Sequence, residues 1–409
     1  MPEISKNRKA VKPLPIVYAG ILLSVVSLAL GLLTGIAALA ENNGYYINAP
    51  VASGILFHPD LMIFGVVGGL LITEKLELME KFPLAGRLPI SRPILVMLFA
   101  GVFSTSIAIL YNLPFLRYVG LILVMASSLL FLYYMTSSRN PGQRGIKQVF
   151  GAAIFAMALS AFSNMGFVIT GNTGLTYLAL LFPVIYVLAE RMELGFVRGM
   201  KARTTKIQVY VSWIAVVSAF VSAESNALLH YAAMYVSIAV IGFLIAVSVL
   251  YDPTFHGARR KNRFQNFMRT GVIISYLWLI LGLLLFTAQL IAGHGFLDPA
   301  AHSIALGFIG TFIVAHSPVI FPLTLKKKAN QENVSYLPLV ILTIANVMRV
   351  FGDLLAPFAQ VGYTISYISG FVILIAIVSF IYNLRRIMGS LDPVHKKQHS
   401  SDEISKTRM

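Results

Sequence analysis

Apolar residues run along this chain in long blocks separated by short polar or basic intervals. A bilayer core of ~30 Å takes about 20 apolar residues per helix. Twelve runs meet or approach that length: 16–40, 59–78, 94–111, 116–135, 149–170, 175–189, 207–223, 229–251, 271–292, 299–325, 337–356 and 361–382. The sixth is short and extends towards Leu194. This pattern predicts an all-α polytopic membrane protein of about 12 transmembrane helices.

The polar intervals alternate. Lys and Arg concentrate in the amino-terminal tail and in every second interval after it, over 75–92, 139–147, 191–206, 259–269, 326–328 and from 385 onward. Of the 32 basic residues only Arg117 and Arg349 fall elsewhere. Basic loops stay on the cytoplasmic side, so the alternation predicts a multi-pass protein of the cytoplasmic membrane with both termini inside. The remaining intervals then face outward, and only the first, 41–57, is long. The expected organisation is a basic tail at 1–14, a single 12-helix domain at 15–384, and a disordered cytoplasmic tail at 385–409, rich in Lys, His and Ser. The first apolar run is too long for a signal-peptide core and is expected to be retained.

Composition narrows the chemistry. With 57% hydrophobic residues, 12% charged and a mean hydropathy of +0.78, a soluble single-core fold is excluded and the lipid bilayer is the expected partner. The net charge of +16 is spread between apolar runs instead of covering one solvated domain, which argues against nucleic acid. The absence of cysteine removes disulfides, iron–sulfur clusters and thiolate ligation. Any metal must be held by His, Met or carboxylate.

A weak internal repeat is visible. Asp60, Gly65, Gly68 and Glu74 of the second helix recur as His302, Gly307, Gly310 and His316 of the tenth. Glu74-Lys75-Leu76-Glu77-Leu78 resembles Glu190-Arg191-Met192-Glu193-Leu194 at the end of the sixth, and Pro183-Val184-Ile185 recurs as Pro318-Val319-Ile320. Helices two, six and ten are therefore the similar ones, suggesting three units of four helices. The two charged endings are expected to form interfacial ion pairs.

Of the eight histidines, His58 precedes Pro59, which puts it at the outer mouth of the second helix. Asp298 as N-cap and Pro299 as first residue put His302 within about one turn of the outer end of the tenth. His230 and His294 map to the same outer side, while His316 is isolated ~21 Å deeper on the tenth helix. Neutral imidazole suits metal or haem ligation; backbone-bonded interfacial histidines are the plain alternative. Arg349 and Asp353 lie four residues apart on the eleventh helix, either as a self-contained ion pair or with Arg349 facing an anionic partner. Met62, one turn after His58, is a thioether ligand or a packing residue.

His58-Pro-Asp-Leu-Met62-Ile-Phe64-Gly65 resembles the His-x-His-x-Met-x-Phe-Gly motif of the NnrS family, haem- and copper-containing membrane proteins linked to the nitric oxide response. His302-x4-Gly307-x2-Gly310-Thr311 resembles that family's second signature. More distantly, the arrangement is similar to the haem-copper oxidase catalytic subunit. Asp60 replaces the motif's second histidine, and the oxidase copper ligands on the sixth and tenth helices are missing.

The resemblance implies haem b held near the outer face between helices two and ten by His58 and His302, with Arg349 and Met62 nearby and copper as a second candidate. It also implies a diatomic ligand such as nitric oxide, or electron transfer to a partner the sequence does not identify. Two rivals stay open. One is a 12-helix secondary transporter using Arg349, Asp353 and His316 for anion or proton coupling. The other is a metal-dependent enzyme drawing on His58, Asp60, His230 and His302.

Overall fold

The computed structural model describes residues 15–45, 58–81, 91–111, 113–137, 144–166, 173–197, 200–225, 227–255, 262–325, 327 and 329–388. The amino-terminal tail, most of the first outer interval, the tail from 389, and with them His256, His395 and His399, lie outside the described residues.

Twelve long helices follow one another among the described residues, and there are no strands. They are α1 (Pro15–Asn42), α2 (58–81), α3 (Ser91–Tyr111), α4 (Pro114–Thr136), α5 (Arg144–Gly166), α6 (Thr173–Val197), α7 (Ala202–Glu224), α8 (Ala227–Tyr251), α9 (Arg263–Ala292), α10 (Leu297–Thr324), α11 (Leu337–Leu355) and α12 (Gln360–Met388). Eleven are long and apolar enough to cross a membrane, as befits a multi-pass membrane protein, because in lipid a helix satisfies every backbone polar group within itself. The exception, α2, carries Asp60, Glu74, Lys75 and Glu77.

Several helices outrun their apolar runs. Asn262 caps α9, its Oδ1 accepting from the Phe264 amide at 2.9 Å, so that helix begins well before residue 271. Likewise α12 continues to Met388 and takes in Arg385 and Arg386, which the sequence assigned to the tail. Backbone hydrogen bonding continues past the apolar zone, and cations in a last turn suit the helix dipole.

Contacts sort into sets of four consecutive helices, α1–α4, α5–α8 and α9–α12. The sets join where α4 meets α5, α8 meets α9 and α12 meets α1, so the order closes on itself. At the α1–α12 seam, Asn43 Nδ2 donates to Tyr363 O at 2.9 Å, and Thr364 Oγ1 donates to Asn43 Oδ1 at 3.1 Å. The second helices of the sets, α2, α6 and α10, touch one another at the centre. Most of α6 is enclosed, 83% of its span against 22% for α12, and Tyr177, Phe182 and Tyr186 on it are fully buried.

Neighbouring helices approach closely where side chains vanish. At the α3–α4 crossing a methyl group on Gly101 would lie 2.8 Å from Gly120 O, and one on Gly120 would lie 2.6 Å from Gly101 O. Helices α2 and α10 share a feature with no counterpart in composition. Within α2, Leu61–Gly68 is π-helical, and within α10 so is Ser303–Gly310, at the register that the repeat equates. π-helical turns are rare and concentrate at functional sites.

Candidate functional site

The opening turn of α10 organises one end of the bundle. The helix starts at Leu297, and the residue before it, Phe296, makes no side-chain cap. Asp298 is therefore not the N-cap that the Asp-Pro pair suggested. Its carboxylate is taken by a distant partner: Arg349 Nη2 of α11 lies 2.9 Å from Asp298 Oδ2. The same guanidinium reaches down its own helix, with Nε 3.0 Å from Asp353 Oδ2. Ser366 of α12 donates to the other Asp353 oxygen at 2.7 Å. Arg349 thus braces α10, α11 and, through Asp353, α12.

His302 belongs to this group. Its Nδ1 lies 2.9 Å from Asp298 O, 3.6 Å from Asp298 Oδ1 and 4.0 Å from Asp353 Oδ2. The carbonyl contact makes Nδ1 the donor, and Nε2 has no protein hydrogen-bond partner among the described residues. One ligand atom each from Asp298, His302 and Asp353 lie within 4.8 Å of one another.

His58 repeats the arrangement from α2. Its Nδ1 lies 2.7 Å from Gly31 O of α1, again leaving Nε2 without a protein hydrogen bond among the described residues. The ring lies against Gly35, where an added Cβ would be 3.1 Å from Cε1. His58 also lies within electrostatic range of Arg349, Asp298 and His302. Met62 packs its sulfur over Gly31, where an added Cβ would be 2.6 Å away. The structure therefore brings His58, His302, Arg349, Asp298 and Asp353 to one end of the bundle.

The family described as Domain of unknown function (DUF8744) matches residues 18–385. The chain belongs to this family. No curated protein matches it. The DUF8744 match takes in all twelve helices but for the ends of α1 and α12, and every residue of the His58–His302 group.

Other histidines of this DUF8744 chain go elsewhere. His230 Nδ1 bonds to Ser222 O at 2.8 Å and Ser222 Oγ at 3.1 Å, tying α8 to the end of α7. His294 is exposed in the turn between α9 and α10. Neither joins a cluster of three or more metal-ligating side chains among the described residues. Asp60 pairs with Arg117 of α4 at 3.4 Å, so both basic residues that broke the loop alternation, Arg117 and Arg349, answer carboxylates.

His316 is not isolated. Its Nδ1 bonds to Phe312 O at 3.0 Å, its ring stacks on Phe312, and its Nε2 lies 3.1 Å from Arg191 Nη1. Arg191 also grips Asp252 through Nε–Oδ2 at 2.6 Å and Nη2–Oδ1 at 2.5 Å, and Nη2 donates to Thr254 Oγ1 at 2.6 Å. With Arg191 5% and Asp252 0% exposed, this pair is buried; the ion pair between the two charged endings forms instead between Lys75 and Glu193, at 3.1 Å. Burial pushes the Asp252 carboxyl up, but the Arg191 hydrogen bonds and charge outweigh it and hold the group below the usual carboxylate range.

Proposed function

We propose that this chain is an integral membrane haem protein in which His58 and His302 supply the two iron ligands at one end of the bundle. The observation that carries the reading is the matched pair of tethers. Each imidazole anchors Nδ1 on a backbone carbonyl and leaves Nε2 without a protein hydrogen bond, the state a neutral histidine ligand needs. The two rings head α2 and α10, the helices with matching π-helical stretches.

When bound, haem supplies one-electron chemistry, or diatomic binding if one histidine leaves. The chain's own residues do the positioning. Gly31 O and Gly35 set the His58 ring, and Asp298 O sets His302. Arg349 is a positioning residue in this reading, because two carboxylates of the chain occupy its guanidinium where a propionate was expected. Were His58 and His302 both to hold the haem, electron transfer would be favoured over gas sensing.

A second reading is a divalent metal ion on Asp298, His302 and Asp353, favoured by the convergence of their ligand atoms within 4.8 Å. Against it, Arg349 already pairs with both carboxylates and would repel the ion. A transporter using Arg349, Asp353 and His316 together is less favoured, since His316 lies about 21 Å further along α10 than His302.

The deciding experiment is an optical spectrum of the purified protein with metal analysis. A Soret band lost in both His58→Ala and His302→Ala supports haem. Protein at full membrane expression without haem sinks it, and a stoichiometric divalent ion lost in Asp353→Asn would install the second reading.

A further inference from the structure

A cavity of about 50 Å³ lies where α2, α6 and α10 meet, towards the opposite end from His58 and His302. By volume it has room for about three or four waters. Its polar lining comes from equivalent places on the three helices: Thr73 and Glu74 on α2, Glu190 on α6, and His316 and Ser317 on α10. Apart from Thr324, the rest of the wall is isoleucine, leucine and phenylalanine.

The charges around it do not balance. Lys75 is held by both Glu193 oxygens at 3.1 Å and covers the Phe150 ring. Arg191 is committed to Asp252 and His316. His316 uses both ring nitrogens, donating from Nδ1 to Phe312 O and accepting at Nε2 from Arg191. Glu74 and Glu190 face each other's fields, along with those of Lys75 and Glu193, while Glu77 bears on Glu74 and Arg191 on Glu190. Among the described residues neither carboxylate has a hydrogen-bond or ion-pair partner. Thr73 points to the same need: it is 2% exposed, lines the cavity, and its hydroxyl is without a partner among the described residues.

Two half-buried carboxylates that repel each other beside a mostly apolar cavity, without a hydrogen bond or ion pair, are costly to keep charged. We propose that this cavity is a proton-binding site, in which Glu74 and Glu190 hold exchangeable protons around a small internal water cluster. A metal cation is the other neutraliser, but Lys75 and Arg191 beside the carboxylates repel it. The inference does not depend on the haem reading.

Infrared difference spectroscopy of the full chain in lipid nanodiscs tests it. At neutral pH the wild type should show a protonated-carboxyl stretch that shifts in D2O and disappears at alkaline pH. Glu74→Gln and Glu190→Gln should each remove part of that band. No such band at neutral pH overturns the proposal, as does a band that both variants leave intact. Sodium or potassium abolishing the band at constant pH also overturns it, in favour of a metal-cation site. Should one variant fail to fold, the other and the wild-type titration still decide.

Discussion

Arg349 Nη2 meets Asp298 Oδ2 at 2.9 Å, tying the middle of α11 to the turn that carries His302. The two carboxylates this arginine serves differ in exposure: the Asp298 side chain is 68% exposed and that of Asp353 9%. Removing the guanidinium therefore costs mainly through Asp353, left buried without its cation. Arg349→Ala should destabilise the protein by about 3–5 kcal/mol. Arg349→Ala with Asp353→Asn should recover much of that, whereas pairing it with Asp298→Asn should recover little. Thermal unfolding in detergent measures all three.

Asp60 and Arg117 offer a second buried pair, at 3.4 Å with side chains 5% and 8% exposed. Arg117→Ala should cost about 3–5 kcal/mol, and the apolar double variant Asp60→Leu with Arg117→Met should cost far less. Equal losses in single and double variants would show that the two do not act as a pair.

The seat of His58 predicts a graded spectral effect. A methyl at Gly35 would sit 3.1 Å from Cε1 of the imidazole, so the ring must give by a few tenths of an ångström. If haem sits on His58 as proposed, Gly35→Ala should shift the Soret band while leaving membrane expression unchanged, and Gly35→Leu should abolish haem binding. A Gly35→Leu protein with wild-type haem would remove the ring from its assigned role.

Asp252 predicts an acid limb. Its folded-state carboxyl titrates below the unfolded value, so its contribution to stability is complete above the unfolded pKa and is lost as pH falls through the folded one. Wild-type Tm should fall on acidification below the ordinary carboxylate range, and Asp252→Asn should start lower with a flatter acid limb. Melting curves across that range check both the sign and the residue.

Much of the fold was legible because lipid demands long apolar helices, and interruptions by basic intervals mark their ends. Boundaries moved where helices outlast their apolar zone, as at Arg263 and Met388. The matching π-helical stretches were invisible, since a change of hydrogen-bond register leaves no compositional trace, though the shared Gly65, Gly68, Gly307 and Gly310 pointed to the right helices. His58 and His302 were readable through the prolines that fix where α2 and α10 begin. Asp298 was misread as a cap because its true partner is on another helix, and long-range pairing has no local signature. The charged endings pair through Lys75 and Glu193 as their sequence suggests, but only packing reveals that this pairing and the Arg191–Asp252 pair leave Glu74 and Glu190 without a cation of their own.

The seam between α1 and α12 bears on how the protein is made. The Asn43 side chain contacts backbone and hydroxyl of residues about 320 positions later. During synthesis α1 emerges first, yet one flank stays without its neighbour until nearly the whole chain has followed. The amide of Asn43 must rest on its local bond to Leu39 O, at 3.0 Å, through that interval. Such a bundle is assembled like a barrel hooped last: truncation anywhere before residue 360 leaves every earlier helix present and the wall open.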